Sequence, residues 1–276
     1  MSRRKSRSHI LTTSLAISLT LYICSLPNLA LARKVFNPPS GRGLPGRREP
    51  AGTRGKCIES QLIPNLPANN FPGSYKTLAA LTPAPDRSIG QTLSNYPTFF
   101  WYQPAFKQGY ANTLEFVLVD EQRKPLYRTF LPVTGKAGVM SFTLPEKQAD
   151  NKTLVRPLEI GKVYRWTVNV VCDLEDRSAE DFIEGYVERI VPSRELVTRI
   201  SKASPRMLPE IYAGAGIWHE ALATLAELRR KSPNDIQLAT TWENLLEAVD
   251  FRKLAREPLV DCCRPEKANI SSANHP

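Results

Sequence analysis

The sequence predicts a mainly β protein with a helical C-terminal part, in which an antiparallel β-sandwich is followed by a helical hairpin. Short runs in which apolar and polar residues alternate fill residues 98–190, and polar turns separate these runs. Such alternation places one face of each strand in a core. From Ser193 onward the apolar residues recur at helical spacing instead. The segments before residue 98 are rich in proline and glycine, so they permit only short elements.

The predicted strand that ends at Cys172 shows the alternation most clearly. One of its faces carries Tyr164, Trp166, Val168, Val170 and Cys172. The other strands are expected at 99–102, 114–119, 126–131, 139–144 and 182–190, with one edge strand within 74–82. Short strands joined by tight turns are typical of an antiparallel sandwich with immunoglobulin-like architecture.

The helical part begins at Ser193, a residue type suited to capping a helix N-terminus, and Pro205 interrupts the first helix. Apolar stripes predict two further helices at 217–230 and 236–254. The stretch from Gly216 to Asp235 resembles the second helix and turn of a tetratricopeptide repeat. At most one and a half repeats fit, which is too few for a solenoid. A helical hairpin packed on the sandwich and a partner-binding helical surface both stay open.

The N-terminal residues have the pattern of a secretory signal peptide. A basic segment with Arg3, Arg4, Lys5 and Arg7 precedes the apolar run 10–23, and Ala30-Leu31-Ala32 matches a cleavage site. The run is too short and too polar for a stable membrane span, although an uncleaved anchor is the alternative. No later segment is long and apolar enough to span a membrane. We therefore expect an extracytoplasmic protein, located in the periplasm, on the cell surface or in the medium.

Composition divides the chain into five parts. We predict a signal peptide at 1–32, a basic strap rich in Gly, Pro and Arg at 33–56, a β-sandwich domain at 57–192, a helical region at 193–257 and a tail at 258–276.

The basic strap carries the charge imbalance of the mature chain. The net charge is +10, but the residues after position 56 contain as many acidic as basic side chains. A basic arm can hold an anionic polymer or lipid headgroups, or it can be solvated or paired internally. The candidate residues for an anionic partner are Arg42, Arg47, Arg48 and Arg54.

The two cysteines of the sandwich domain, Cys57 and Cys172, are predicted to form a disulfide because exported proteins meet an oxidising compartment. This bond would bring Arg54 and Lys56 beside the acidic segment that follows Cys172. We therefore predict a charge-paired strap docked across the sandwich, with Arg47 and Arg48 left free for an anionic partner. The pairing state of the adjacent Cys262 and Cys263 stays open.

The acidic segment after Cys172 contains six carboxylates. Its candidate residues are Asp173, Glu175, Asp176 and Glu184. A calcium loop would need a ligand spacing that this segment does not match. A glycosidase acid pair would need two carboxyl groups facing across a cleft, for which Asp176 and Glu184 are the candidates. A charged loop paired with basic groups is the third interpretation.

Several common activities lack their residues. The pattern Gly41-x-Gly43-x-x-Gly46 matches the dinucleotide fingerprint, but prolines before, within and after it prevent the required strand and helix. His219 is the one histidine between the signal and the tail, and no nucleophile elbow or zinc motif is present. We predict no catalytic residue, no metal site and no cofactor. Nucleic-acid binding is not expected, because the basic strap lacks interleaved aromatic residues.

Five motifs together resemble the cyanobacterial family named domain of unknown function 928. They are Pro45-Gly-Arg-Arg-Glu-Pro-Ala-Gly-Thr-Arg-Gly-x-Cys57, Thr92-Leu-Ser-x-Tyr-Pro-Thr-Phe-Phe-Trp-Tyr102, Glu115-Phe-Val-Leu-x-Asp-Glu121, Leu126-Tyr-Arg-Thr129 and Cys172-Asp-x-Glu-Asp-Arg-Ser178 with Glu184-Gly185. The resemblance extends over residues 40–260. It implies an exported protein without an established activity, and it supplies no catalytic residues.

We expect an exported, non-enzymatic binding or assembly module of the cell envelope. Its partner would be an envelope protein or an anionic envelope polymer. The alternative is a protein that binds or processes envelope polysaccharide through exposed aromatic residues and paired carboxylates. The aromatic candidates are Phe99, Phe100, Trp101, Tyr102, Trp166 and Tyr186.

Overall fold

The computed structural model describes residues 35–39, 48–49, 77–83, 89–106, 113–148 and 152–263. The chain divides into the units Met1–Arg33 and Lys34–Pro276. The predicted signal peptide at 1–32 lies outside the described residues. Among the residues described, no helix is both long enough and apolar enough to cross a bilayer.

Within the described residues, eight strands form two sheets. Their bounds are β1 Ala79–Ala80, β2 Gly90–Thr92, β3 Thr98–Gln103, β4 Thr113–Val119, β5 Pro125–Pro132, β6 Gly138–Thr143, β7 Val163–Val171 and β8 Asp181–Arg189. One sheet has three strands in the order β1-β3-β6, and the other has five in the order β2-β8-β7-β4-β5. The predicted strands are therefore confirmed for β3 to β8.

Strand β2 differs from the prediction of a purely antiparallel sandwich, because it pairs parallel to β8. The five-stranded sheet is therefore mixed. Strand β2 has three residues and lies between proline-rich stretches. A strand of this length carries no alternation pattern, so its pairing is set by tertiary contacts rather than by local propensity.

The two sheets enclose one core. Phe99 and Phe142 from the three-stranded sheet pack on Phe116 from the five-stranded sheet, with ring centroids 5.1 and 4.8 Å from that of Phe116. Trp166 lies opposite Gly185 on β8, where an added Cβ would be 2.6 Å from the indole nitrogen. Only glycine leaves room for this ring. Each large apolar side chain buried here contributes about 1.5–3 kcal/mol to folding.

In the described part of the chain, four α-helices follow the strands. They are α1 Arg194–Lys202, α2 Leu208–Gly214, α3 Trp218–Lys231 and α4 Ile236–Glu247. Ser193 caps α1 as predicted, because its hydroxyl accepts a hydrogen bond from the Leu196 N–H. The predicted helix 236–254 ends earlier, and a short 3₁₀ turn occupies Arg252–Leu254.

Helices α2 to α4 cover the outer face of the three-stranded sheet, whereas Leu196 of α1 packs against Ile211 of α2 and Ile217. Phe100, Tyr102 and Val139 of that sheet share a second core with Trp218 and Leu222 of α3. The protein thus has a helical layer, a three-stranded sheet and a five-stranded sheet in succession. The mainly β class with helices that the sequence predicts is confirmed at this level.

The first residues of α3 fasten the helices to the sheets. The Trp218 indole N–H donates a hydrogen bond to the Leu81 carbonyl at 2.8 Å, and His219 Nδ1 lies 2.9 Å from the Thr98 carbonyl. Since a carbonyl only accepts, Nδ1 carries the proton. His219 is buried, and this burial lowers its pKa to about 4.

Glu220 continues this attachment at the end of β2. Its Oε1 accepts hydrogen bonds from the Thr92 hydroxyl at 2.7 Å, the Leu93 N–H at 3.0 Å and the Ser94 N–H at 3.1 Å. Burial raises the pKa of this carboxyl group, although these hydrogen bonds oppose the rise. Residues Trp218 to Glu220 are called the α3 anchor below.

The segment after Pro258 does not behave as the predicted tail where the structure describes it. The Val139 N–H of β6 donates to the Pro258 carbonyl at 2.7 Å, and the Val260 N–H donates to the Val139 carbonyl at 2.9 Å. Cys262 and Cys263 are joined by a disulfide, and Cys263 is buried in the core between the sheets. Residues 258–260 therefore pair with the edge of the three-stranded sheet, while residues 264–276 lie outside the described residues.

We expect His219 to make stability fall in mild acid. Unfolded chains protonate this side chain below pH 6.5, whereas the folded state resists until pH about 4. The unfolded state therefore binds more protons in this window, and the stability lost on acidification reaches about 3 kcal/mol. Denaturant unfolding at several pH values measures it. The variant His219→Asn retains a donor for Thr98 but no titrating ring, so its stability should fall about 3 kcal/mol less between these pH values. Equal pH dependence of the two proteins would contradict the burial of a neutral imidazole.

Candidate functional site

The outer face of the five-stranded sheet is, in the part of the chain that the structure describes, the sheet face without a helical layer. We call it the open sheet face. The strand register brings together on it Glu115, Arg128, Phe130, Arg165, Asn169, Glu184 and Tyr186. Alternation along the strands produces this set, because their neighbours in sequence point into the core.

Glu115 is the centre of the open sheet face. It lies on β4, and only 3% of its surface is exposed. Its Oε2 accepts a hydrogen bond from Arg177 Nη2 at 2.6 Å and one from Asn169 Nδ2 at 3.3 Å. Its Oε1 forms a salt bridge with Arg128 of the neighbouring strand β5. One carboxylate therefore holds two guanidinium groups in fixed positions.

The ionised state of Glu115 is maintained by these arginines. Burial alone would raise its pKa, but the hydrogen bonds from Arg177 and Arg128 outweigh this effect and lower the pKa. Arg177 also forms a salt bridge with Glu180, and Glu180 and Glu115 together raise its own pKa. A buried ion group of this kind is stable as a set, whereas the loss of one partner leaves an uncompensated charge.

A second charged pair lies farther along the same face. Arg165 Nη1 is 3.4 Å from Glu184 Oε2 across β7 and β8. The side chain of Arg165 is about one third exposed, so this pair is weaker than the Glu115 cluster. Burial and the charge of Glu184 raise the pKa of the neighbouring Tyr186.

Phe130 gives the open sheet face an apolar contact point. Half of its surface is exposed, and the Arg128 guanidinium lies 5.8 Å from its ring centroid. This distance is within the range of a cation–π contact. The face therefore combines fixed charges with an exposed aromatic ring.

The acidic segment predicted from the sequence is split between two roles. Asp173 accepts a hydrogen bond from the Glu175 N–H at 2.8 Å, and Asp176 accepts one from the Ser178 N–H at 3.0 Å. The bonds to Ser178 lower the pKa of Asp176. These aspartates stabilise local turns, while Glu184 lies on the open sheet face. Asp176 thus bonds to the turn at Ser178, whereas Glu184 pairs with Arg165.

The structure describes the basic strap at 35–39 and 48–49, and Arg48 contradicts one expectation. Arg48 was expected to be free for an anionic partner, yet its Nη2 donates to the Val249 carbonyl at 2.5 Å and its guanidinium lies 3.8 Å from the Phe251 ring centroid. The Ala80 N–H also donates to the Arg48 carbonyl at 2.7 Å. The carbonyls that follow α4 attract this cation, so Arg48 is docked on the helical layer.

The other strap candidates, Arg42, Arg47 and Arg54, lie outside the described residues, and so does Cys57. Cys172 follows the last residue of β7 and is half-buried. The pairing of Cys57 with Cys172 therefore stays a prediction, as does the placement of Arg54 beside the acidic segment.

Most of the aromatic candidates for sugar stacking lie in the cores. All four tryptophans, Trp101, Trp166, Trp218 and Trp242, are fully buried, and so are Phe99, Phe100 and Tyr102. A buried ring has no face available for a ligand. Tyr186 is half-buried on the open sheet face, and Phe130, which the sequence did not single out, is the more exposed ring there.

A small polar cleft lies beside the turn between β4 and β5. Its volume is about 110 Å³, and its walls include Asp120, Glu121, Glu159 and Lys162. These groups already serve the local structure: Asp120 accepts hydrogen bonds from the turn that follows it, and Lys162 pairs with Glu159 at 2.7 Å. The open sheet face is therefore the stronger candidate site.

Glu115, Arg128 and Arg177 were not singled out as site residues from the sequence. Each occurs in one of the motifs quoted above, but those motifs lie far apart in the chain. Strand register and the turn before β8 bring them together. A charged residue at an alternating strand position, such as Glu115 between Leu114 and Phe116, is the one local signal of this site.

We expect Glu115→Gln to destabilise the protein by about 3 kcal/mol near neutral pH, because Arg128 and Arg177 lose their counter-charge. The control Glu184→Gln should cost under about 1 kcal/mol, because its pair is more exposed. Since the folded pKa of Glu115 is lowered, its contribution is complete above the ordinary glutamate pKa and declines as the pH falls below it. Denaturant unfolding at neutral and acidic pH measures both effects. Equal losses for the two variants would contradict the central role of Glu115.

Comparison with known proteins identifies a family. A family model described as Domain of Unknown Function (DUF928) matches residues 49–259, and no curated protein matches the chain. The matched range is more than half of the chain and includes both sheets and the four α-helices. The resemblance inferred from the sequence motifs is thus confirmed, and the chain belongs to the domain of unknown function 928 family.

Proposed function

We propose that the protein is an exported, non-enzymatic binding or assembly module of the cell envelope, and that the open sheet face is its binding surface. The arrangement around Glu115 carries this proposal. It holds Arg128 and Arg177 in fixed positions on a flat sheet face, beside the exposed ring of Phe130. Charges fixed before binding give an interface its orientation and selectivity.

The carboxylates of this face support binding over catalysis. A general acid or base must reach the substrate and exchange its proton near the working pH. The pKa of Glu115 is lowered, and its oxygens are occupied by Arg128, Arg177 and Asn169. His219 is buried, and its Nδ1 is bonded to the Thr98 carbonyl. These groups hold structure in place.

Export rests on the sequence of residues 1–32, with its basic start, apolar run and small residues before Arg33. The partner would accordingly be an envelope protein or an anionic envelope polymer. Among the strap residues, Arg42, Arg47 and Arg54 stay candidates for binding an anionic envelope polymer.

Binding of envelope polysaccharide is the second candidate function. The observation that favours it is the position of Phe130 and Tyr186 on the same face as Glu184 and Arg165. Aromatic faces stack on sugar rings, while carboxylates and guanidinium groups bond to hydroxyls. In this second candidate function, Phe130 replaces the buried tryptophans as the ring that stacks on a sugar.

The finer architectural classes are also proposals. An immunoglobulin-like relation rests on two sheets around one core, although β2 is parallel to β8. A tetratricopeptide-like relation rests on the contact between α3 and α4, in which Leu225 and Leu238 share a core. Superposition on members of those classes checks both relations.

We expect a charge reversal on the open sheet face to weaken partner capture. Cell fractionation first shows which envelope fraction contains the protein. The immobilised protein is then incubated with that fraction after solubilisation. Bound protein and bound polysaccharide are quantified separately. Arg165→Glu should reduce capture about tenfold, because like charges across an interface cost more than about 1.4 kcal/mol. The matched control Lys231→Glu reverses an exposed cation on α3 and should leave capture unchanged. Equal capture by both variants would place the binding surface elsewhere.

A further inference from the structure

The edge strands of the two sheets differ in whether another segment of the described chain covers them. An edge strand exposes unpaired N–H and C=O groups, which attract other strands. In the three-stranded sheet, the Arg48 carbonyl accepts from Ala80 at the β1 edge. At the opposite edge, Pro258 and Val260 exchange hydrogen bonds with Val139 of β6. Both edges of this sheet are therefore covered by segments that are distant in sequence.

In the five-stranded sheet, the β2 edge is closed by the start of α3. A Cβ added at Gly90 would lie 2.8 Å from His219 Nε2, which shows how closely the helix approaches the strand. Glu220 also accepts the N–H groups of Leu93 and Ser94, directly after β2.

Strand β5 forms the remaining edge, and it is uncovered. Among the described residues, no backbone group pairs with its outer side. The Thr113 hydroxyl of β4 donates to the Leu131 carbonyl at 3.2 Å, so that carbonyl faces β4. Because backbone groups alternate in direction along a strand, those of Arg128 and Phe130 face outward. With eight residues, Pro125–Pro132 is long enough to pair with a second strand.

The charge around β5 selects the kind of strand that fits. The exposed charged residues of β5 and the segments on either side of it are Arg123, Lys124, Arg128 and Lys136. No acidic residue occurs from 122 to 145. A second copy of the chain would bring these like charges together, which is unfavourable across a strand pair. An acidic segment would instead be attracted.

We propose that β5 is a docking edge, at which an extended acidic segment of a protein partner adds as a further strand. The proposal rests on the proposed binding function and names the partner's chemistry. Backbone hydrogen bonds to Arg128 and Phe130 supply affinity, as in other strand additions. Side chains of the partner that point to the open sheet face select it: an acidic residue lies beside Arg128, and an apolar residue lies beside Phe130.

The test uses the intact protein and two short synthetic peptides with the repeats Glu-Thr-Val-Thr and Lys-Thr-Val-Thr, in which the charged residue and valine alternate along one face of the strand. Fluorescence anisotropy measures their affinity, and amide hydrogen exchange locates the contact. We expect the glutamate peptide to bind at least about tenfold more tightly and to slow exchange of the Arg128 and Phe130 amides. Weaker binding of the glutamate peptide, or protection confined to other strands, would overturn the proposal.

Two substitutions at one position separate the backbone from the side chain. Phe130→Pro removes an N–H that faces away from β4, which edge strands tolerate. It should weaken peptide binding at least about tenfold more than Phe130→Ala, which retains the N–H. Thermal unfolding of both variants verifies that they fold. Equal weakening by the two would overturn pairing through the backbone.

The envelope capture assay distinguishes the failure of this proposal from the failure of the proposed function. If Phe130→Pro captures the partner as well as the unmodified protein does, while Arg165→Glu does not, the docking edge is wrong and the binding module stands. If Arg165→Glu also captures normally, the proposed surface falls as well. If the protein dimerises by itself and Phe130→Pro prevents this dimerisation, the edge accepts a second copy of the chain. That result would also overturn the proposal of an acidic partner.

Discussion

The α3 anchor is the set of contacts on which the rest of the structure depends. Three consecutive side chains, Trp218, His219 and Glu220, bond to the Leu81 carbonyl, the Thr98 carbonyl and the β2 end respectively. They reach both sheets from a single helical turn. Each hydrogen bond contributes about 1 kcal/mol, but an unpaired buried partner would cost about 1–3 kcal/mol. The anchor therefore makes the helices and sheets mutually dependent.

This attachment determines which surfaces stay available. The helices occupy the outer face of the three-stranded sheet, so the corresponding face of the five-stranded sheet keeps its charged side chains in contact with solvent. Glu115 organises that face because it is buried among cations on neighbouring strands. The same layering leaves β5 as the uncovered edge of the described sheets. Face and edge meet at Arg128 and Phe130, so one partner can contact both.

The fold was predictable wherever a local pattern decides it. An aromatic run located β3, alternation located β4 to β8, and Ser193 marked the start of α1. The sequence did not reveal β2, the parallel pairing or the sheet contact made by residues 258–260. Those features have two or three residues each, and distant segments stabilise them. Local propensity carries little information at that length.

The candidate site was predictable only in part. Glu184 was identified by its acidic neighbourhood, but its place beside Arg165 depends on the register of β7 and β8. Glu115 was recognisable as a charged residue in a strand, yet its partners come from separate motifs. Arg48 was misassigned because the strap is basic overall, and composition does not show that a cation docks on Val249 and Phe251.

The α3 anchor should make the three layers unfold cooperatively. Denaturant unfolding followed by two probes in parallel measures this cooperativity most directly. Amide exchange of β4 and β7 reports on the five-stranded sheet, and amide exchange of α3 and α4 reports on the helical layer. Both probes should give one coincident transition, and Trp218→Phe, which removes the indole N–H, should shift both by the same amount. Melting of the helices at lower denaturant while the sheets stay folded would contradict the claim that the α3 anchor unites the three layers.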